Sequence, residues 1–159
     1  MKLAVFGPTG ATGGRLVEYA LAAGFHVVAY ARNTSGIASG NERLTIVQGE
    51  LSDTAAIERA VDGAGAVISL LGPRPREDIS ARPLTRGMRN ILAAMRKAGS
   101  RRLVISSTPS ASDPHDAPDL RFKVLVAIVK HTMRPAYNQA VDFPMATVRS
   151  GLGDKLADE

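Results

Sequence analysis

Three glycines with regular spacing lie near the start of the chain, at Gly7, Gly10 and Gly13. They follow a short apolar run and precede an amphipathic helical pattern that ends at Gly24. This order favours binding of a phosphate group, because N–H groups point outward at a helix N-terminus and the helix dipole attracts negative charge. Glycines also let the backbone approach a pyrophosphate closely. The turn therefore predicts a dinucleotide site, the alternative being an ordinary connection between a strand and a helix. The residues predicted to bind the cofactor here are Gly7, Thr9, Gly10, Ala11, Thr12 and Gly13.

A second informative position is Arg32, which follows the second predicted strand. A site selective for NAD usually places an acidic residue there, where it accepts a hydrogen bond from the 2′-hydroxyl of the ribose. This segment has no carboxylate, and arginine pairs with phosphate through two parallel hydrogen bonds. We therefore predict that the cofactor is NADP (NADPH) rather than NAD. The alternative is that Arg32 is only a solvated residue at a strand end.

Two more loops follow predicted strands and complete the expected cofactor site. Glu50 and Leu51 come after the third strand and could face the adenine. Leu71, Gly72 and Arg74 come after the fourth strand and should run past the pyrophosphate, with Arg74 as a phosphate contact. Asp53 is interpreted as a helix cap rather than a ligand.

The scaffold for these loops is an alternation of strand and helix patterns. Strands are predicted at residues 2–6, 26–30, 44–48, 66–71 and 102–106, and helices at 12–23, 54–61 and 84–98. This alternation predicts an α/β fold, a doubly wound parallel sheet with helices on both faces. Ligands of such sheets lie at the carboxyl ends of the strands. After residue 107 the pattern loosens into a loop at 108–119 and an apolar segment at 120–133, which we interpret as a buried helix rather than a membrane-surface segment.

Composition narrows the classes of function. The absence of cysteine excludes disulfides and thiolate metal sites, and the three histidines are too scattered to predict a metal site. The net charge of +5 would suit nucleic acid, but four Phe, three Tyr and no Trp offer little for base stacking. No apolar run reaches the ~18 residues of a membrane span, and no secretory signal is visible. We expect a cytoplasmic protein with no nucleic-acid or membrane partner.

The segments carrying these features together resemble a known family. Those segments are residues 4–13, 47–51, 66–72, 89–95 and 103–107. The chain resembles the atypical short-chain dehydrogenase/reductase superfamily, in its NAD(P)H-binding, NmrA-like branch, and is most similar there to flavin reductase/biliverdin-IXβ reductase. The resemblance implies a Rossmann fold that holds NADPH, with Arg32 on the 2′-phosphate and Ser106 or Ser107, the candidate catalytic residues, near the nicotinamide. In such relatives hydride passes to a bound flavin or tetrapyrrole, which depends mainly on positioning.

The chain departs from these relatives in its second half. Dehydrogenases of the superfamily pair a tyrosine with a lysine four residues later, but Val141 holds the lysine position after Tyr137. The Asp-His pair of the flavin reductases is also missing, because residues 137–142 contain no histidine. Relatives continue beyond residue 152, so we expect a single NAD(P)-binding domain over 1–159, C-terminally shortened, with a polar tail at about 151–159. It would be either a truncated product or a naturally minimal domain, and a homodimer would cover an open edge at the fifth strand.

Three functions remain open from the sequence. The first is an NADPH-dependent reductase of a small planar electron acceptor such as flavin. The second is a non-catalytic NAD(P)H-sensing regulatory protein of NmrA type, which the missing acid–base residues favour. The third, a sugar-nucleotide epimerase or dehydratase, is disfavoured by the missing tyrosine–lysine pair.

Overall fold

The computed structural model describes residues 1–38, 40–72 and 83–106, and all structural statements below refer to these residues. The elements in chain order are β1 (Lys2–Phe6), α1 (Ala11–Ala22), β2 (His26–Ala31), β3 (Leu44–Gln48), α2 (Thr54–Val61), β4 (Ala66–Ser69), α3 (Pro83–Ala98) and β5 (Leu103–Ile105). The predicted loop at 108–119, the segment at 120–133, Tyr137 and the tail at 151–159 lie outside the described residues. The prediction of one domain over 1–159 is likewise not tested by this part of the chain.

The five strands form one parallel sheet with the order β3-β2-β1-β4-β5. The chain builds outward from β1 to β3, crosses back to β4 beside β1, and continues to β5. Because helices connect most of these parallel strands and cover both faces, the predicted doubly wound α/β architecture is confirmed. The carboxyl ends of all five strands lie at the same edge of the sheet, where the predicted loops lie.

Side chains along β1 point alternately to the two faces of the sheet, and each face carries its own apolar cluster. Leu3 and Val5 face α1 and pack with Val17 and Ala20, whereas Phe6 points to the opposite face, which α2 and α3 cover. Side chains of successive strand residues point to opposite faces, so a strand buried on both sides reads as a continuous apolar run. On α3 the predicted apolar face is buried, as expected from its helical spacing; its residues are Leu84, Met88, Ile91, Leu92 and Met95.

Several predicted bounds needed small corrections. Helix α1 begins at Ala11 rather than at residue 12, because Gly10 is its N-cap and accepts the first helical hydrogen bond from the Gly14 N–H at 2.8 Å. Strand β4 ends at Ser69 rather than at residue 71, although the Leu70 N–H still donates to the Phe6 carbonyl at 2.9 Å. β5 covers three residues of the five predicted. The interpretation of Asp53 as a cap is confirmed, since its Oδ1 accepts from the Ala56 N–H at 2.9 Å.

None of the helices in the described part of the chain is long and apolar enough to cross a bilayer.

Candidate functional site

The glycine turn between β1 and α1 is tight at two of its three predicted glycines. Gly7 has a φ of +84°, and a Cβ there would stand 3.0 Å from both the carbonyl carbon and oxygen of Leu70. At Gly13 a Cβ would overlap the carbonyl oxygen of Gly7 and lie 2.9 Å from Cα of Pro8. Both positions therefore require glycine because backbone approaches backbone. A Cβ at the exposed Gly10 would make only an ordinary 3.7 Å contact, so the protein itself does not demand glycine there.

The N-terminus of α1 presents unused hydrogen-bond donors. Ala11, Thr12 and Gly13 are the first three helical residues, so their N–H groups have no acceptor one turn earlier within the helix. No side chain caps Gly10, and the first turn has no acidic residue. Such a helix end favours an anion through its donors and its dipole. The local geometry is therefore suited to a phosphate, as the sequence predicts.

A cleft of about 630 Å³ opens at the carboxyl ends of the strands. Its size is in the range of cofactor-binding clefts, roughly 300–1,000 Å³. The structure brings seven of the predicted site residues together along its walls: Gly7, Thr9, Arg32, Glu50, Leu51, Leu71 and Gly72. These residues come from the loops after β1, β2, β3 and β4, so four loops that were predicted separately line the same cleft.

Other predicted residues lie outside the walls of this cleft or outside the described part of the chain. Gly10, Ala11, Thr12 and Gly13 belong to the glycine turn and the first turn of α1, but are not among the described residues that line the cleft. Ser106 follows β5, is exposed, and donates its N–H to the Ser69 carbonyl at 2.9 Å. It does not line the cleft either. Ser107 and Arg74 lie outside the described residues, so the catalytic role of the two serines stays a prediction.

Arg32 and Glu50 both line the cleft, and their side chains lie close together. Nε of Arg32 lies 4.0 Å from Oε1 of Glu50, and the side chains are 46% and 61% exposed. An ion pair this open to water contributes about 0–1 kcal/mol, so an entering phosphate could displace the carboxylate at little cost. The Gln48 side-chain amide donates to the Arg32 carbonyl at 3.1 Å and ties β3 to the residue after β2.

Tyr30 forms a hydrogen bond with the loop after β3. Its ring is buried beside Phe6, with centroids 4.9 Å apart, and its hydroxyl donates to the Glu50 carbonyl at 2.7 Å. Burial, followed by the nearby carboxylates of Asp53 and Glu50, raises the pKa of Tyr30 to about 12. The hydroxyl therefore stays protonated and keeps its role as a donor. Sequence reasoning missed this residue, since a tyrosine inside an apolar strand looks like ordinary core.

Helix α3 supplies a wall of the cleft that the sequence did not predict. The Asn90 side-chain amide donates to the Leu51 carbonyl at 2.8 Å. One turn earlier, Gly87 leaves room for Leu51, because a Cβ at Gly87 would stand 2.7 Å from Cβ of Leu51. Arg86 and Arg89 lie next to these two contacts and also line the cleft. A small residue at Gly87 within an otherwise regular helix is the signal that could have indicated this close approach.

Comparison with known proteins places this geometry in a family. Residues 7–144 match the family model described as NAD(P)H-binding. The chain belongs to this NAD(P)H-binding family. The matched region of the NAD(P)H-binding domain begins at Gly7 and includes every predicted cofactor residue. The expected NAD(P)H-binding family is thereby confirmed, whereas the NmrA-like branch and the similarity to flavin reductase stay predictions.

Solved structures share the fold of the NAD(P)H-binding domain at low identity. A short-chain dehydrogenase/reductase from Veillonella parvula DSM 2008, in complex with NADP, is 19% identical with a TM-score of 0.69; 91% of this chain matches 62% of that one. A superfamily member from Agrobacterium tumefaciens with bound NAD is 22% identical with a TM-score of 0.69, over 95% of this chain and 45% of that one. ChuY, an anaerobillin reductase from Escherichia coli O157:H7, is 20% identical with a TM-score of 0.68, and 92% of this chain matches 66% of that one.

This chain covers less than two thirds of the length of each of these three solved proteins. At such identities the likeness establishes the fold. Within the described residues, no group of three or more His, Asp or Glu side chains is placed to hold a metal ion.

Proposed function

We propose that the domain binds NADPH in preference to NADH and transfers its hydride to a small planar electron acceptor such as flavin. One observation carries the choice of cofactor. Arg32 lines the cleft directly after β2, where a 2′-phosphate would be held, and residues 31–36 contain no carboxylate. The solved structures of similar fold include one complex with NADP and one with NAD, so cofactor preference must come from this chain's own residues.

The residues of the cleft would act mainly by binding and positioning. NADPH, when bound, supplies the hydride. The N–H groups at the start of α1 would hold the pyrophosphate, and Arg32 would hold the 2′-phosphate by displacing the weakly paired Glu50. Tyr30 and Asn90 fix the backbone of Glu50 and Leu51, so the loop against which the adenosine would lie is set before binding. Hydride transfer to a flavin needs alignment more than acid–base help.

The nature of the acceptor is supported by relatives rather than by a described pocket. One structure of similar fold belongs to an anaerobillin reductase, which adds to the resemblance to flavin reductase and biliverdin-IXβ reductase. Such acceptors are planar and take up electrons without a strong acid from the protein. The cytoplasmic location expected from the sequence is part of this proposal.

A second function, a non-catalytic sensor of NAD(P)H, is favoured by a different observation. Ser106, the one predicted catalytic residue that is described, is exposed and does not line the cleft. Seven of the predicted cofactor-binding residues thus share a cleft that Ser106 does not line. A sensor would use the same Arg32 and glycine turn but would report cofactor binding to another protein.

Titration separates the two functions. NADPH and NADH would each be added to the protein while nicotinamide fluorescence is followed, and FMN or a linear tetrapyrrole would then be added while the nicotinamide absorbance is followed. Oxidation of NADPH that depends on protein concentration supports the reductase. Tight NADPH binding without oxidation by either acceptor supports the sensor, and binding of neither dinucleotide contradicts both.

The Arg32→Ala variant tests cofactor choice. A hydrogen bond between charged groups contributes about 1.5–3 kcal/mol, so the affinity for NADPH should fall by roughly 10- to 100-fold while that for NADH changes little. Arg43→Ala is the matched control, because Arg43 is exposed and directly precedes β3, at the opposite edge of the sheet. Equal losses for the two cofactors in Arg32→Ala would contradict the role of Arg32.

A further inference from the structure

The cleft has more positive charge than one arginine at the end of β2 provides. Arg32, Arg86 and Arg89 all line it, and Glu50 is the one carboxylate among its described lining residues. Arg86 and Arg89 come from α3, and neither arginine has a role in the binding mode proposed above. A cleft with three arginines against one carboxylate attracts anions.

Contacts of α3 bring this helix against the loop that carries Glu50 and Leu51. Gly87 and Asn90, which directly follow the two arginines in sequence, both contact Leu51. Leu51 follows Glu50, whose carboxylate lies 4.0 Å from Nε of Arg32. The segment formed by Glu50 and Leu51 therefore contacts Arg32 through Glu50 and the arginine-bearing helix α3 through Leu51.

Among the described residues, the positions of Arg86 and Arg89 bring no evident gain to the fold. Arg86 lies in the first turn of α3, where the helix dipole disfavours a cation and where no acidic residue compensates it. Arg86 and Arg89 are three residues apart on one helix, a spacing at which like charges repel. In the described ranges neither forms an ion pair, whereas Lys97 on the same helix pairs with Glu58 at 2.6 Å. Both arginines are exposed toward the cleft, so they remain accessible to a ligand.

We propose that Arg86 and Arg89 act with Arg32 as a three-arginine site that binds the 2′-phosphate of the cofactor from two sides of the cleft. This inference rests on the proposed binding of NADPH. A terminal phosphate has three acceptor oxygens and carries nearly two negative charges, so it can accept from more than one guanidinium at once. Discrimination between NADPH and NADH is then shared by the end of β2 and the cleft side of α3.

Calorimetric titration of four ligands against the wild type and a set of variants tests this. The ligands are NADPH, NADH, 2′,5′-ADP and 5′-AMP, which form two pairs that differ by the 2′-phosphate. The proteins are the wild type, Arg86→Ala, Arg89→Ala and the double variant, with Arg43→Ala as the control for loss of one exposed positive charge. Thermal unfolding of each variant verifies that the fold is retained, and Arg89→Lys tests whether charge alone restores binding.

We expect the double variant to bind NADPH and 2′,5′-ADP about tenfold more weakly or worse, while NADH and 5′-AMP change by less than about twofold, because charged hydrogen bonds are lost only with the 2′-phosphate. The loss should shrink as salt rises, since ions screen exposed charges. Equal losses for NADPH and NADH, or no loss for either, would overturn the inference. These titrations measure binding alone. A wild-type protein that binds NADPH without reducing flavin would contradict the reductase proposal but would not contradict the three-arginine site.

Discussion

Gly13→Ala, compared with Gly14→Ala, tests whether the glycine turn is set by contact between backbone segments. The two glycines are neighbours in α1, and each gains the same helix propensity on replacement by alanine, about 0.5–1 kcal/mol. Their surroundings differ. A Cβ at Gly14 would meet the Pro8 carbonyl oxygen at 3.7 Å, an ordinary contact, whereas a Cβ at Gly13 would lie 2.9 Å from Cα of Pro8 and overlap the Gly7 carbonyl oxygen.

The magnitude follows from the shortfall in contact distance. Carbon atoms in contact stand about 3.5–4.0 Å apart, so the first turn of α1 must shift by roughly 1 Å to admit the methyl group of Gly13→Ala. Forcing an extra methyl into a packed site costs about 1–3 kcal/mol. Because both variants gain the same propensity, this cost is the expected difference between their free energies of unfolding. The same shift moves the N–H groups of Ala11 and Thr12, so the affinity for NADPH should fall in Gly13→Ala and persist in Gly14→Ala.

Urea denaturation followed by circular dichroism measures the stability difference, and NADPH titration by fluorescence measures the second effect. Gly14→Ala should unfold at the same urea concentration as the wild type or higher. If Gly13→Ala unfolds at the same urea concentration as Gly14→Ala and binds NADPH equally well, the reasoning from backbone contact is wrong.

Three other perturbations test separate parts of the structure. Tyr30→Phe removes the hydrogen bond to the Glu50 carbonyl and should lower stability by about 0.5–1.5 kcal/mol in urea denaturation. The pKa of Tyr30 is about 12 in the folded protein against 10.0 for the free side chain, so the stability that its hydroxyl contributes is present below pH 10 and is lost as pH rises toward 12. Tyr30→Phe should lack this alkaline loss of stability. An equal loss in the wild type and in Tyr30→Phe would refute this role of the hydroxyl. Asn90→Ala releases the Leu51 carbonyl and should weaken NADPH and NADH by the same factor, about 2- to 10-fold by titration, whereas a loss confined to NADPH would point instead to the phosphate. A homodimer, predicted from the sequence, should give twice the 16.8 kDa chain mass in light scattering at high concentration, and a monomer under those conditions excludes it.

The architecture followed from the sequence because strand and helix patterns are local. Apolar runs such as residues 2–6 and the spacing of Met88, Ile91 and Met95 identify buried elements without knowledge of the rest of the chain. The errors concern ends, where local pattern is weakest. Leu70 and Leu71 continue the apolar run of β4, yet the strand ends at Ser69, since strand pairing and not hydrophobicity determines where a strand ends.

The candidate site was predictable where it follows strands and unpredictable where it lies on a helix. Arg32 and Glu50 could be identified because residues after parallel strands gather at one edge of the sheet. Arg86, Arg89 and Asn90 could not, because polar residues on the exposed side of an amphipathic helix normally face water. Only the packing of α3 against Leu51 makes that side a wall of the cleft. Tyr30 was missed for a related reason, since the role of its hydroxyl depends on a carbonyl twenty residues away.

In the described part of the chain the two apolar clusters differ in size, and this difference affects local stability. Helix α1 buries only Gly13, Val17 and Ala20, whereas α2 and α3 share a much larger cluster on the other face of the sheet. Opening α1 therefore exposes less apolar area than opening α3, and its amide protons should exchange with solvent sooner. Since α1 also carries the phosphate-binding turn, a bound dinucleotide would stabilise a helix that buries few of its own side chains. Slower exchange in α1 would then report that the cofactor is bound.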